Sequence, residues 1–169
     1  KEFPEKAESG MFGMKQIPAE VTYEEGIYVG YRYFNTFNVK PAYAFGYGLS
    51  YTTFSYSDIN LSNTSLKGNQ TLAASVIVTN NGNKDGKEIV QLYIRDVVGS
   101  VTRPVKELKG FQKIELKAGE SKTVSFNITP DDLKFYNYDL KYDWEPGEFT
   151  IMIGGNSRDV KTGKVNWMK

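Results

Sequence analysis

The stretch SKTVSFNIT, Ser121 to Thr129, alternates without a break: Val124, Phe126 and Ile128 fall on one side, Thr123, Ser125 and Asn127 on the other. Apolar residues at a period of two mark a half-buried β-strand. The pattern recurs on both sides. LAASVIVTN (Leu72 to Asn80) puts Leu72, Ala74, Val76 and Val78 on one face. In KEIVQLYIRD (Lys87 to Asp96), Val90, Leu92 and Ile94 are expected inward, and Gln91, Tyr93 and Arg95 outward. GEFTIMIGG (Gly147 to Gly155) adds Phe149, Ile151 and Ile153.

Between these runs, NNGNKDG (Asn80 to Gly86) and KAGE (Lys117 to Glu120) read as hairpin connections, and EPGE (Glu145 to Glu148) as a Pro-Gly turn. TPDDL is the single helical start: Thr129 can cap it, Pro130 suits its first turn, and Asp131 and Asp132 complement its dipole. Short strands with little helix predict an all-β fold, a two-sheet antiparallel β-sandwich of immunoglobulin or fibronectin type III kind over residues 53–169.

Residues 1–52 are of another character. Gly10, Gly13, Gly26, Gly30, Gly46 and Gly48, with Pro4, Pro18 and Pro41, interrupt regular structure, so an irregular, aromatic-rich N-terminal extension is expected. Only GIYVGYRYF, Gly26 to Phe34, reads as a short extended piece, with Tyr28, Tyr31, Tyr33 and Phe34 on its two faces and Arg32 between them. Further on, YAFGYGLSYTTFSY (Tyr43 to Tyr56) sets rings around Gly46 and Gly48. Rings beside glycines suit a sugar-stacking surface or a seam between domains. Because the rings are many, contiguous and joined to the first strand, the seam is the reading taken. Gly46 and Gly48 would then permit close backbone approach or positive φ.

Composition excludes several functions. A formal net charge of +1 without a basic stripe offers nothing to nucleic acid. With no cysteine and no histidine, thiolate or imidazole metal ligands, a His-based triad and an imidazole base are all impossible. No apolar run is long enough for a membrane span, and KEFPEKAESG has no hydrophobic core of a leader.

Carboxylates fare no better as catalysts. Glu24 and Glu25 are adjacent and would diverge in an extended segment. Asp85 and Asp96 lack any calcium-loop spacing. In RPVKELKGFQK, Glu107 interrupts Arg103, Lys106, Lys109 and Lys113, which reads as a solvated strand edge. Asn60, Asn63, Asn69 and Asn127 open Asn-x-Ser/Thr triplets, which matter only in a eukaryotic secretory pathway. No catalytic, cofactor-binding or metal-binding residue is assigned.

The combination EGIYVGYRYFNT, AFGYGLSYTTFSYSDINLS, VTNNGNKDGKEIVQLYIRD, RPVKELKGFQKIELKAGESKTVSFNI and EPGEFTIMIGGNS resembles the C-terminal fibronectin type III-like domain, with its preceding linker, of glycoside hydrolase family 3. It is similar in pattern to bacterial periplasmic β-glucosidases and xylosidases. The resemblance implies a parent enzyme that hydrolyses terminal β-D-glucosides or xylosides with retention, its aspartate nucleophile and glutamate acid/base both upstream of this segment. Tyr142-Asp143-Trp144 resembles the surroundings of that nucleophile but lacks the serine, and reads as a strand end with a structural aspartate.

The resemblance further implies a non-catalytic role: bracing the upstream catalytic domains of the same polypeptide and edging the cleft for a β-linked oligosaccharide. Tyr31, Arg32, Tyr33, Phe45, Tyr47, Tyr51 and Arg103 are the candidate interdomain or cleft-edge contacts. Location is expected to be periplasmic or secreted. An isolated chain is expected to fold the connector back along the sandwich or to form a homodimer through it. The rival is an autonomous carbohydrate-binding or cell-surface adhesion module, which should carry exposed aromatics in a planar set on strands.

Overall fold

The computed structural model describes residues 22–169. The described residues form two packed sheets and a small two-stranded ribbon, with two short helices: α1 (Tyr31–Thr36) and α2 (Pro130–Leu133). In the first sheet, β4 (Leu72–Asn80) pairs along one side with β7 (Ser121–Ile128). Its other side takes β1 (Phe54–Tyr56) and then β2 (Asn60–Leu61), so one edge is shared by two short pieces. The second sheet runs β3 (Ser65–Lys67), β11 (Val160–Met168), β10 (Gly147–Gly154), β5 (Gly86–Asp96), β6 (Glu107–Leu116). All its pairs are antiparallel except β3 with β11. The ribbon joins β8 (Phe135–Tyr136) to β9 (Tyr142–Asp143).

Between the sheets lie the residues that the alternation selected. Leu72, Ala74, Val76 and Val78 face Val124, Phe126 and Ile128 along the β4–β7 pair, and all are buried. Val90, Leu92, Ile94, Phe149, Ile151 and Ile153 complete the opposite layer. Fully buried Trp167 meets Trp144 edge-on at 6.2 Å and donates its indole N–H to the Gly68 carbonyl. At α2, Thr129 and Asp132 form a reciprocal capping box with Pro130 in the first turn.

Three local expectations are corrected. The Asn80–Gly86 and Lys117–Glu120 connections are not hairpins: each carries the chain from one sheet to the other, β4 to β5 and β6 to β7. Turn residues mark a reversal but not whether the returning strand pairs or packs. The Glu145–Glu148 stretch carries no turn and leads straight into β10. GIYVGYRYF is not extended, because Gly26 and Gly30 take positive φ, and Tyr31–Thr36 closes a single turn and a half of helix. With no strand beside it to receive a ladder, local bonds win: Phe37 N–H reaches Tyr33 O and Val39 N–H reaches Phe34 O.

Candidate interdomain face

The largest surprise lies on the outer face of β5. Gln91 and Tyr93, expected in solvent, are 4 % and 0 % exposed. Their side of the sheet is covered by the segment that precedes β1. The Tyr31 ring meets Tyr93 edge-on at 5.8 Å and lies 5.0 Å from Phe45. Its hydroxyl accepts the Leu108 N–H at 2.9 Å, and Thr36 Oγ1 accepts the Val105 N–H at 3.2 Å. Thus α1 is pinned to β6 and to the loop before it.

A second anchor joins Phe45 to the turn after β10. The Ser157 N–H donates to the Phe45 carbonyl at 2.8 Å, and Lys106 Nζ donates to the Ser157 carbonyl at 2.7 Å. Tyr93 donates its hydroxyl to Gln91 Oε1, and Gln91 Nε2 donates to the Gly155 carbonyl at 3.0 Å. Gly46 makes this approach feasible. Its φ is +84°, and a Cβ there would stand 2.1 Å from Gln91 Nε2. Burial pushes the Tyr93 phenol up from its ordinary value, with Tyr31 adding to it, and burial pulls the Lys106 ammonium down.

The Arg103–Lys113 strip does run along the sheet edge, in β6, but it is solvated only around residues 111–113 and not over Arg103–Lys109. Arg103 Nη2 binds Glu107 Oε2 at 2.8 Å, Lys109 Nζ joins the same oxygen at 3.3 Å, and all three side chains are mostly buried. The Arg103 guanidinium also stacks over Phe135 at 4.2 Å. Of the four cations only Lys113 is exposed. Burial alone would raise the Glu107 carboxyl, but Arg103 and Lys109 together hold it below its usual value. Asp96 goes the other way: burial raises it more than Arg103 lowers it, and its Oδ2 is buried without a partner, as is Arg103 Nη1.

Of the candidate contacts, Tyr31 and Phe45 come together, and Arg32 and Arg103 line one groove of about 440 Å³ with Glu107 and Phe135. Arg32 also stands 5.4 Å from the Tyr31 ring. Tyr33, Tyr47 and Tyr51 point outward, at 42 %, 53 % and 99 % exposure; Tyr33 packs on Phe37 and Tyr47 on Tyr43, whereas Tyr51 meets neither group. Sequence reasoning missed Gln91, Tyr93, Lys106 and Ser157. The available signal was the unbroken Leu92-Tyr93-Ile94, with Tyr93 opposite Met152, which suits a strand covered on both faces there; Gln91 carried none. Also missed were Tyr136, Tyr138 and Tyr142, all exposed on or beside the β8–β9 ribbon, with Tyr136 and Tyr142 rings 5.1 Å apart.

Among the described residues, neither Asp143 nor the pair Glu88 and Asp96 offers the carboxylate arrangement of a retaining glycosidase. Asp143 bonds Lys169 at 2.6 Å and accepts the Trp144 N–H; these lower its pKa, the opposite of what an acid catalyst needs. Burial raises Glu88, which accepts the Tyr56 hydroxyl at 2.6 Å, and burial raises Asp96. Those two stand near opposite ends of β5, roughly 26 Å apart at about 3.3 Å per residue, against about 5 Å required. Asp85 and Asp96 flank the same strand and do not meet either.

The fibronectin type III-like domain family matches residues 88–157. The thermostable β-glucosidase B of Acetivibrio thermocellus is 51% identical over 142 residues, 83% of this chain and 19% of that protein. The periplasmic β-glucosidase of Salmonella typhimurium is 53% identical over 132 residues, 78% of this chain and 17% of that protein. β-Glucosidase 3B of Thermotoga neapolitana, solved with glucose, superposes with a TM-score of 0.76 at 44% identity, covering 88% of this chain and 20% of that one. The chain therefore spans about a fifth of the length of these relatives. No helix among the described residues is long and apolar enough to cross a membrane.

Proposed function

Because this chain belongs to the fibronectin type III-like domains of glycoside hydrolase family 3, we propose that it is the non-catalytic C-terminal domain of a larger β-glycosidase. The parent hydrolyses terminal β-D-glucosides or xylosides in the periplasm or outside the cell. Residues 1–52 act as the connector from the upstream catalytic domain, and residues 53–169 as the bracing sandwich. The observation that carries this reading is the two-sided connector. One set of groups, Tyr31, Thr36, Phe45 and Gly46, is bonded or packed onto the sandwich, while Tyr33, Tyr47 and Tyr51 turn outward. An aromatic strip glued on one side and bare on the other suits a seam to a neighbouring domain. The groove of Arg32 and Arg103 would border the same seam.

A second reading, an autonomous carbohydrate-binding module, is favoured by one observation, the exposed tyrosines of the β8–β9 ribbon. Activity tests the first reading. The isolated chain, incubated with chromogenic β-glucoside and β-xyloside, is expected to release nothing. Hydrolysis that survives repurification and responds to Asp143→Asn would overturn it.

A further inference from the structure

A pocket of about 210 Å³ opens where α1 and the Tyr43–Phe45 segment meet the turn after β10. Sites for drug-sized ligands start near about 300 Å³, so this one admits a single small ring. Phe34, Tyr43 and Phe45 supply aromatic wall; Asn35, Asn38 and Arg158 supply planar polar groups, and no carboxylate lines it. The Asn35 amide donates one of its two N–H groups to the Tyr31 carbonyl at 2.8 Å, which leaves its other N–H and its oxygen without a hydrogen-bond partner among the described residues. None of the ion pairs among the described residues engages Arg158. Its loop is nonetheless fixed, since Asn156 Oδ1 accepts both the Arg158 and Asp159 N–H groups. Asn38 is held at φ +52°, one of two non-glycine residues with positive φ among those described. Backbone strain of this kind clusters at ligand sites.

We propose that this pocket, formed by the connector against the turn after β10, binds one pyranose ring, in addition to the bracing role. A pyranose offers an apolar C–H face, which the aromatic wall can stack. Its edge offers adjacent hydroxyls, each donor and acceptor, to which an amide and a guanidinium present matched planar arrays. A peptide or a nucleotide exceeds the volume. Affinity is modest, about 1–10 mM for so few atoms.

The test uses the 169-residue chain, titrated by NMR with methyl β-D-glucopyranoside and with xylose. Binding is expected to perturb residues 34–45 and 156–158, and to weaken by about tenfold or more in Arg158→Gln, which removes charge-assisted donors. Asn38→Gly is the control for folding. Glycine suits φ +52°, so thermal stability is expected to hold or rise while affinity falls. Absence of binding at tens of millimolar sugar overturns the proposal. So does binding that both variants retain, or that Tyr136→Ala and Tyr142→Ala abolish, since the latter places the sugar on the β8–β9 ribbon. An unchanged affinity in Asn38→Gly alone also counts against it.

Discussion

Asn80 shows how much one side chain can hold. It is fully buried at the end of β4, where its Oδ1 accepts from Thr52 Oγ1 and the Gly82 N–H, and its Nδ2 donates to the Lys84 and Leu116 carbonyls. It therefore ties the connector, the β4–β5 crossing and the end of β6 in one place. Asn80→Ala leaves those groups buried without partners and is expected to cost about 2–4 kcal/mol in denaturant titration. The acidic pair near Arg103 makes a pH prediction. Glu107 has a depressed folded pKa, so its stabilisation is present above its unfolded value near 4.5 and is lost as pH falls through the folded one. Glu107→Gln should thus cost about 2–4 kcal/mol at pH 7, with the gap to the parent closing in acid. Asp96 has the opposite sign: its raised folded pKa means a penalty above that value that disappears as pH falls through it. Asp96→Asn is expected to leave stability at pH 7 unchanged or higher, and thermal melts from pH 7 to pH 3 read both.

Elements with the same alternation are not equivalent. In β7, Phe126 is 8 % exposed and Asn127 lies on the solvent face. Phe126→Ala is expected to cost about 3–5 kcal/mol and Asn127→Ala well under about 1 kcal/mol, and equal losses would mean a slipped register. In α1 the corresponding contrast is Tyr31 against Tyr33. Tyr31→Ala removes the cover of Tyr93 and the acceptor for Leu108 N–H, and about 2–3 kcal/mol should go with it. Tyr33→Ala strips only a ring from the outward side and should cost under about 1 kcal/mol. Similar losses at both positions would mean that the helix is held from its outer side as well.

At the scale of the whole molecule, the connector closes one face of the sandwich and opens another. Trimming the chain to begin at Thr52 removes the groups over Gln91 and Tyr93, so the sandwich should remain folded but melt lower and bind hydrophobic dye. Conversely, Tyr47, Leu49 and Tyr51 stay exposed in the untrimmed chain. Burying even a few hundred Å² at about 25 cal/mol per Å² offsets part of the cost of association, so weak self-association is expected. Sedimentation should detect it at high concentration, and Leu49→Ser with Tyr51→Ser should abolish it. A chain that stays monomeric throughout argues against a seam made of these rings.

What could be read directly from the residues was whatever depends on a period of two. Val124, Phe126 and Ile128 bury because alternation puts them on one face wherever the strand lies, and the same holds for β4 and for the inner side of β5. The capped start of α2 was legible for the same local reason. Tertiary structure alone decided the rest. Whether a turn returns its strand to the same sheet depends on what the far strand pairs with, so the two crossings looked like hairpins. Gln91 and Tyr93 looked solvated because their cover comes from residues some fifty positions earlier, brought over β5 by Gly46 and the Tyr31 anchor. Arg103 and Glu107 looked like surface charge because only packing against Phe135 and β6 removes them from water. Alternation reports one face of a strand, and distant contacts determine what happens on the other.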